Sequence, residues 1–375
     1  MNVFDIHFDI VGEYKNFLQS FIKVKNEEIK NIIDDALNSG KILPEPLIQF
    51  NPSYEKSDSL DKIVDTYQLH NDLTKIFKGY NLFKHQVEAL NLGSQFKDFI
   101  LTSGTGSGKS LAFISTIFNY LLQLENKSSG IKAIIVYPMN ALINSQFEEL
   151  SKYELNFLEE YNQQLPIPSE ISTNQDKLAF LREKAEKKFP IKFAQYTGQA
   201  NEKEREMIKQ ELPDILLTNY MMLELILTRP NDSDIKNSIF ENLKYLVFDE
   251  LHTYRGRQGA DVALLIRRIK SKTKNEITFL GTSATMISGG SIEEQNQAIG
   301  KFAKRIFGKQ FSADQIISEY LEKSFNYDES YIESESLKKS ILKGINILDN
   351  EAELKNNPLA IWLESKIALK VSNER

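Results

Sequence analysis

The chain of 375 residues contains no cysteine, which excludes a disulfide framework and a cysteine-ligated zinc site. Long hydrophobic runs are also absent, and no segment is apolar enough to span a bilayer. Residues 1–7 lack the charged region and apolar core of a secretory signal. These absences fit a reducing compartment, and we expect a cytoplasmic protein.

An excess of basic residues is missing too, since 46 Lys and Arg stand against 52 Asp and Glu, for a net charge of −6. This balance argues against a generally basic nucleic-acid binder. It counts only weakly, because a binding groove needs positive charge only locally. The hydrophobic content of 41% is typical of a globular chain with one sizeable core and flanking elements.

A glycine-rich segment follows the apolar run 99–101 and opens into an apolar helical stretch at 111–122. Strand, loop and helix in this order are the context of a phosphate-binding loop. Its glycines let backbone N–H groups turn toward phosphate oxygens, Lys109 adds a charge near the β- and γ-phosphates, and the Ser110 hydroxyl can reach Mg²⁺. A glycine-rich surface turn is the alternative. The predicted nucleotide-binding residues of this loop are Ser103, Gly104, Thr105, Gly106, Ser107, Gly108, Lys109 and Ser110.

An acidic pair, Asp249 and Glu250, directly follows a second apolar run at 243–248. At the end of a buried strand, Asp249 is placed to hold Mg²⁺ and Glu250 to polarise an attacking water. With Lys109 they are the predicted catalytic residues. Adjacent acidic residues also occur on solvated turns, but the two motifs in this order and context favour a nucleoside triphosphatase.

The two motifs together resemble those of the first motor domain of a superfamily 2 helicase of the DEAD/DEAH (DExH) type. Further segments resemble that family in the same order: 82–90, 137–146, 196–198, 217–222 and 281–285. The resemblance implies that Gln86 recognises adenine. It also implies that His252, Ser283 and Thr285 couple the nucleotide site to the nucleic acid and to a second motor domain. Contacts to the nucleic-acid backbone are implied for Pro138, Asn140, Gln146, Thr197, Gly198, Thr218 and Asn219.

A closer resemblance is to large bacterial helicases of the MrfA-like DNA-repair class and of the DISARM and Druantia anti-phage classes. Segments 20–28, 45–54, 217–224, 249–263 and 357–364 carry it. It implies ATP and Mg²⁺ as cofactors, and translocation on or unwinding of DNA in the 3′ to 5′ direction. The implied partners are single-stranded or duplex nucleic acid, with DNA favoured, a second RecA-like domain in cis or in trans, and other defence-system subunits.

The expected fold class is α/β, a RecA-like P-loop NTPase domain with a parallel sheet flanked by helices, because apolar runs alternate with amphipathic stretches. We expect a helical leader and extended connector at 1–60, with a helix pair between 11 and 38. The RecA-like domain is expected at 61–308. A helical insertion, with helices such as 319–325 and 359–367, is expected at 309–375. The candidate strands are 97–101, 131–136, 191–195, 214–217, 243–248 and 276–281.

Three other functions stay open at this stage. An RNA-remodelling DExH-box ATPase has the same two motifs, which do not separate DNA from RNA. A non-catalytic ATP-binding, nucleic-acid-sensing subunit would need a partner chain. A scaffold with a vestigial site is disfavoured by the presence of Lys109, Asp249 and Glu250. No motif of a second motor domain follows Thr285, so we expect the ATP-binding half of a longer enzyme, inactive or weakly active by itself.

A basic cluster after the acidic pair has two interpretations. Its arginines contact phosphate or couple domains, or else they pair with acidic residues on a helix surface. Glu224 is expected to be a structural partner of a nearby basic residue. The cluster consists of Arg255, Arg257, Arg267 and Arg268.

Overall fold

The structure, a computed structural model, describes residues 3–21, 24–38, 53–104, 106–125, 129–168, 171–284, 292–325, 334–343 and 355–368. The chain separates into two compact units, residues 1–51 and residues 52–375. The first contains helices α1 (Val3–Phe21) and α2 (Glu27–Asn38), which confirm the predicted helix pair. The proline-containing connector, predicted around residues 44–52, lies outside the described residues.

Helix α2 begins where a polar side chain can satisfy its free backbone donors. The side-chain oxygen of Asn26 accepts the N–H groups of Glu28 (2.9 Å) and Ile29 (3.2 Å). The acidic residues Glu27 and Glu28 in the first turn oppose the positive end of the helix dipole. Between the two helices, the Gln19 carboxamide donates to a carboxylate oxygen of Asp34 over 2.9 Å.

The second unit is built on a seven-stranded sheet in which every pair of neighbouring strands is parallel. The strand order is β3-β4-β2-β5-β6-β1-β7. Apolar residues run almost without interruption through the central strands, as is typical of parallel strands that are covered on both faces. The strands are β1 (Phe99–Thr102), β2 (Ala133–Tyr137), β3 (Phe193–Gln195), β4 (Ile215–Asn219), β5 (Tyr245–Phe248), β6 (Thr278–Ser283) and β7 (Ile316–Ser318).

Helices cover both faces of this sheet, and consecutive strand residues belong to opposite hydrophobic clusters. Ile135 packs in one cluster and Ile134 in the other, as the two-residue period of a strand requires. The helices of this unit are α3 (Leu60–Tyr67), α4 (Asp72–Ile76), α5 (Lys84–Ser94), α6 (Lys109–Gln123), α7 (Asn140–Tyr161), α8 (Asn174–Lys184), α9 (Glu202–Gln210), α10 (Tyr220–Thr228), α11 (Ser233–Asn242), α12 (Gly256–Lys272), α13 (Ile292–Phe307), α14 (Ser334–Lys343) and α15 (Pro358–Leu363).

The six predicted strands are all present, and the sheet confirms the predicted fold class. Strand β7 was not predicted, because its residues fall in the segment 309–375, which was expected to be a helical insertion. The helix predicted over 319–325 is wrong. That segment is extended: the backbone N–H of Glu55 donates to the Tyr320 carbonyl (2.8 Å), and that of Glu322 donates to the Ser53 carbonyl (2.7 Å). The helix predicted over 359–367 corresponds to α15 and the helical turn Glu364–Ala368.

Gly259 in α12 has no room for a side chain, because a Cβ there would lie 2.6 Å from the Tyr254 carbonyl oxygen. We expect Gly259→Ala to lower the free energy of unfolding by about 1–3 kcal/mol, since a backbone atom cannot rotate away. The control is Gly198→Ala, where a Cβ meets no atom of the described residues within 4 Å. It should change stability by less than about 0.5 kcal/mol. Urea denaturation followed by circular dichroism measures both, and equal effects would contradict the prediction.

Candidate functional site

The predicted nucleotide-site residues meet at the carboxyl edge of the sheet, where three adjacent parallel strands end. Strand β6 lies between β5 and β1. Thr102 is in register with Ser283, and Phe248 with Gly281. The segments that leave β1, β5 and β6 therefore emerge side by side, at the edge where open α/β sheets bind ligands.

The segment after β1 forms the predicted loop, with α6 beginning at Lys109. Gly106 (φ 80°) and Gly108 (φ 68°) adopt the left-handed backbone conformation that glycine tolerates without steric cost. The ammonium of Lys109 donates to the carbonyl oxygens of Ser103 (3.1 Å) and Gly104 (3.3 Å). The Lys109 side chain therefore folds back onto the backbone of its own loop. Thr105 lies outside the described residues.

Gln86 and His85 lie behind this loop. The Gln86 carboxamide nitrogen donates to the Gly108 carbonyl (2.8 Å), and its oxygen accepts the Phe83 backbone N–H (2.8 Å). His85 is buried, and its Nε2 lies 3.0 Å from the Ser107 carbonyl oxygen. Both polar atoms of Gln86 are thus engaged within the protein, and adenine recognition by this residue stays a prediction. The contact of His85 was missed, because a histidine beside the predicted adenine-binding residue gives no signal of its own.

The acidic pair after β5 is organised by a threonine that the sequence analysis overlooked. The Thr282 hydroxyl donates to the Asp249 carboxylate and accepts the backbone N–H of Glu250 (3.1 Å). Burial raises the pKa of Asp249 to about 6, against the lowering effect of this hydrogen bond. Glu250 is held in the left-handed region (φ 50°), which is unusual for a residue with a side chain. Thr282 lies within the predicted coupling motif 281–285, and this position was the one sign in the sequence that it belongs to the site.

Glu250 connects the acidic pair to the loop and to the predicted coupling residues. One of its carboxylate oxygens lies 3.6 Å from the Lys109 ammonium, so the structure brings two predicted catalytic side chains together. Its other oxygen lies 3.2 Å from Nδ1 of His252 and receives no hydrogen bond from the described residues. That Nδ1 accepts the Ala284 N–H (3.3 Å) and lies 3.4 Å from the Ser283 hydroxyl. The structure thus joins His252 and Ser283, whereas Thr285 lies outside the described residues.

Two oxygen donors were predicted to hold Mg²⁺, the Ser110 hydroxyl and the Asp249 carboxylate. Within the described ranges, no group of three or more His, Asp or Glu side chains could hold a metal ion. Mg²⁺ in nucleotide sites usually takes one or two carboxylates and completes its shell with phosphate oxygens and water. The donor set of these two residues is therefore of the kind that fits a nucleotide-bound Mg²⁺.

The residues predicted to contact nucleic acid lie in the segments that follow β2 and β3 and at the carboxyl end of β4. The Asn219 carboxamide donates to that of Asn140 over 2.9 Å, which joins the ends of β4 and β2. The Thr218 hydroxyl donates to the Tyr196 carbonyl (2.7 Å), beside Thr197. Five of the predicted residues belong to the segments that follow β2 and β3, and the other two end β4. The five are Pro138, Asn140, Gln146, Thr197 and Gly198.

Two arginines of the basic cluster, Arg267 and Arg268, contact neighbouring residues of the chain. Arg268 pairs with Glu224 (2.5 Å), as expected for Glu224. The Arg267 guanidinium donates to the carbonyl oxygens of Ala263 (2.7 Å) and Arg305 (3.1 Å). The pairing with Glu224 favours the helix-surface interpretation for Arg268, whereas Arg267 contacts backbone carbonyls and not an acidic side chain.

Comparison with known proteins matches residues 83–291 to the DEAD/DEAH box helicase family. Among curated proteins, the chain is 28% identical over 336 residues to the Druantia protein DruE of Escherichia coli strain UMEA 4076-1, covering 66% of this chain and 18% of that protein. It is 27% identical over 287 residues to the uncharacterized ATP-dependent helicase MJ1574 of Methanocaldococcus jannaschii, covering 76% of this chain and 33% of that protein.

Among solved structures, the crystal structure of the DUF1998 helicase MrfA bound to DNA superposes with a TM-score of 0.51 at 22% identity. The match covers 72% of this chain and 29% of that one. It shows a shared fold. In the part of the chain that the structure describes, no helix combines the length and hydrophobicity needed to cross a membrane. The chain spans between 18% and 33% of the length of the two curated relatives.

The buried carboxylate of Asp249 predicts a pH-dependent stability. Its pKa in the folded chain is about 6, above the ordinary 3.8, so its ionisation opposes folding above about pH 6 and has no effect below about pH 4. With chelator present, Asp249→Asn should therefore raise the free energy of unfolding at pH 8 by about 1–3 kcal/mol. The gain should disappear as the pH falls toward 4.

The matched control is Asp214→Asn, because the buried Asp214 carboxylate pairs with the Lys132 ammonium at 2.9 Å. Removing one partner of such a pair leaves a buried charge unpaired and should cost about 3–5 kcal/mol at pH 8. Thermal and urea unfolding at several pH values measures both variants. A loss of stability at pH 8 in Asp249→Asn would contradict the conclusion that burial raises the pKa of Asp249.

Proposed function

The chain belongs to the DEAD/DEAH box helicase family, and on that premise we propose that it binds ATP with Mg²⁺ and couples ATP hydrolysis to translocation on, or unwinding of, DNA. One observation carries the proposal. The parallel sheet brings the Lys109 loop and the Asp249–Glu250 pair together, with 3.6 Å between the Lys109 ammonium and Glu250. A loop of backbone donors next to a metal-binding acid and a second carboxylate is the arrangement that phosphoryl transfer to water requires.

Each residue has a role that its surroundings support. The Lys109 ammonium exchanges the Ser103 and Gly104 carbonyls for the phosphates of ATP. Ser110 and Asp249 would hold Mg²⁺, which would neutralise phosphate charge. Glu250 positions the attacking water, because its second carboxylate oxygen receives no hydrogen bond from the residues that the structure describes. His252 lies beside the Glu250 carboxylate and Ser283 beside His252, and these two residues relay the state of the nucleotide to the nucleic-acid side.

DNA is the proposed polymer, because the structural relative is a helicase bound to DNA. The joined Asn140 and Asn219 side chains offer neutral hydrogen-bonding groups of the kind that position a phosphate backbone. We propose that movement runs in the 3′ to 5′ direction. We also propose that ATP hydrolysis requires a second RecA-like domain, supplied by the same or another polypeptide. The likeness to a Druantia protein supports a role in anti-phage defence. A location in the cytoplasm is part of the same proposal.

Loss of the Lys109 charge should strongly weaken nucleotide binding. In Lys109→Ala the loop keeps its backbone donors but loses its cation, and one charge-assisted hydrogen bond contributes about 1.5–3 kcal/mol. We therefore expect at least tenfold weaker binding of ATP with Mg²⁺ in calorimetry. Lys62→Ala, which removes an exposed lysine on α3, is the control for the change in net charge. Equal affinities of the Lys109→Ala and wild-type chains would remove the nucleotide-site assignment.

Glu250→Gln should separate binding from hydrolysis. The amide keeps the size of the side chain but is a poor base, so ATP affinity should stay within about threefold while hydrolysis falls by about 10²–10⁴. Single-turnover assays with excess protein measure hydrolysis even where turnover is slow. Single-stranded DNA and RNA oligonucleotides of matched sequence are compared. If RNA alone stimulates hydrolysis, RNA remodelling replaces the DNA proposal. If Glu250→Gln hydrolyses ATP at the normal rate, a residue other than Glu250 positions the attacking water.

A further inference from the structure

Strand β7 brings an acidic residue to the phosphate loop. It pairs in parallel with β1, with Ser318 in register with Thr102. The Thr102 hydroxyl also donates to the Ile317 carbonyl over 3.1 Å. Because both strands end at this position, Glu319 emerges beside Ser103 and Gly104. The backbone N–H of Gly104 donates to the Glu319 carboxylate over 2.7 Å.

The chain on either side holds Glu319 in this place. Its neighbour Tyr320 accepts the Glu55 backbone N–H at its carbonyl (2.8 Å), and the Tyr320 hydroxyl donates to a Glu88 carboxylate oxygen (2.8 Å). Two residues further on, the Glu322 backbone N–H donates to the Ser53 carbonyl (2.7 Å). The two backbone hydrogen bonds, to Tyr320 and from Glu322, therefore fix the chain around Glu319 together with the pairing of β7.

The charge of Glu319 is not neutralised by a described cation. Among the described residues Glu319 forms no salt bridge, and the Lys109 ammonium is engaged with two loop carbonyls and Glu250. The Tyr54 hydroxyl oxygen lies 3.0 Å from the position of a Cβ on Gly104. Burial and, second, the charge of Glu319 raise the pKa of this tyrosine. The Gly104 N–H of the loop thus already binds a carboxylate, and this carboxylate is the side chain of Glu319.

We propose that Glu319 is a residue of the nucleotide site that sets its affinity, because its carboxylate competes with a phosphate group of ATP for the Gly104 N–H. The proposal rests on the nucleotide site of the proposed function. Phosphate and carboxylate repel each other, so binding of ATP moves the Glu319 side chain away and weakens the contacts of segment 319–322. Nucleotide occupancy is thereby transmitted to the chain that follows β7.

The test compares Glu319→Gln with Glu322→Gln in the full chain. The amide introduced by Glu319→Gln keeps an oxygen that can accept the Gly104 N–H, so this substitution removes only the charge. Glu322→Gln removes the same charge from an exposed side chain three residues away. By calorimetry with ATP and Mg²⁺, Glu319→Gln should bind about tenfold more tightly than wild type, and Glu322→Gln should match wild type. Unchanged or weaker binding by Glu319→Gln overturns the proposal, as does an equal gain in both variants.

Hydrogen exchange of the wild-type chain is an independent measurement that needs no variant. With ATP and Mg²⁺ the amides of Glu55 and Glu322 should exchange faster, because their hydrogen bonds depend on the displaced segment. Unchanged or slower exchange overturns the displacement. The Lys109→Ala chain distinguishes failure of this inference from failure of the proposed function. If the wild type binds ATP through Lys109 while Glu319→Gln has no effect, only this inference fails; if no chain binds ATP, the proposed function fails with it.

Discussion

The site depends on the parallel pairing of β6 with β5 on one side and β1 on the other. No motif contains the whole site: Lys109 belongs to the segment after β1, Asp249 to that after β5, and Thr282 to β6. Their distances follow from the register of three strands that are buried on both faces and cannot slip without exposing apolar residues. A hydrophobic constraint thus determines the position of the charged groups, and the core cannot be separated from the chemistry.

The same site carries costs that the rest of the fold must offset. Asp249 is a buried carboxylate with a raised pKa, and Glu250 holds a left-handed backbone conformation. The Thr282 hydroxyl satisfies both residues at once, as donor to the Asp249 carboxylate and acceptor for the Glu250 N–H. Groups with perturbed pKa values and strained backbone concentrate at functional sites, because a structure optimised for stability alone would eliminate them.

Contacts around the phosphate loop reach it from three directions. Gln86 and His85 hold its carbonyls from behind, Lys109 closes it from within, and Glu319 accepts one of its N–H groups from the β7 side. The loop is therefore preorganised by partners from distant parts of the chain. In the proposed function, the phosphates of ATP exchange with some of these partners. Nucleotide affinity would then depend on segments that no nucleotide-binding motif includes.

The sequence by itself determined the fold class, the six predicted strands, the glycine-rich loop after β1 and the family, because these depend on local patterns and motif spacing. Lys109, Asp249 and Glu250 could be predicted for the same reason. Only the tertiary structure decided the positions of Thr282 and Glu319, the partners of Gln86, the short strand β7 and the extended segment after it. Those features rest on pairing between distant residues, such as Gly104 and Glu319, which are 215 positions apart. Such pairing leaves no period in the sequence, since either partner alone looks like an ordinary polar residue.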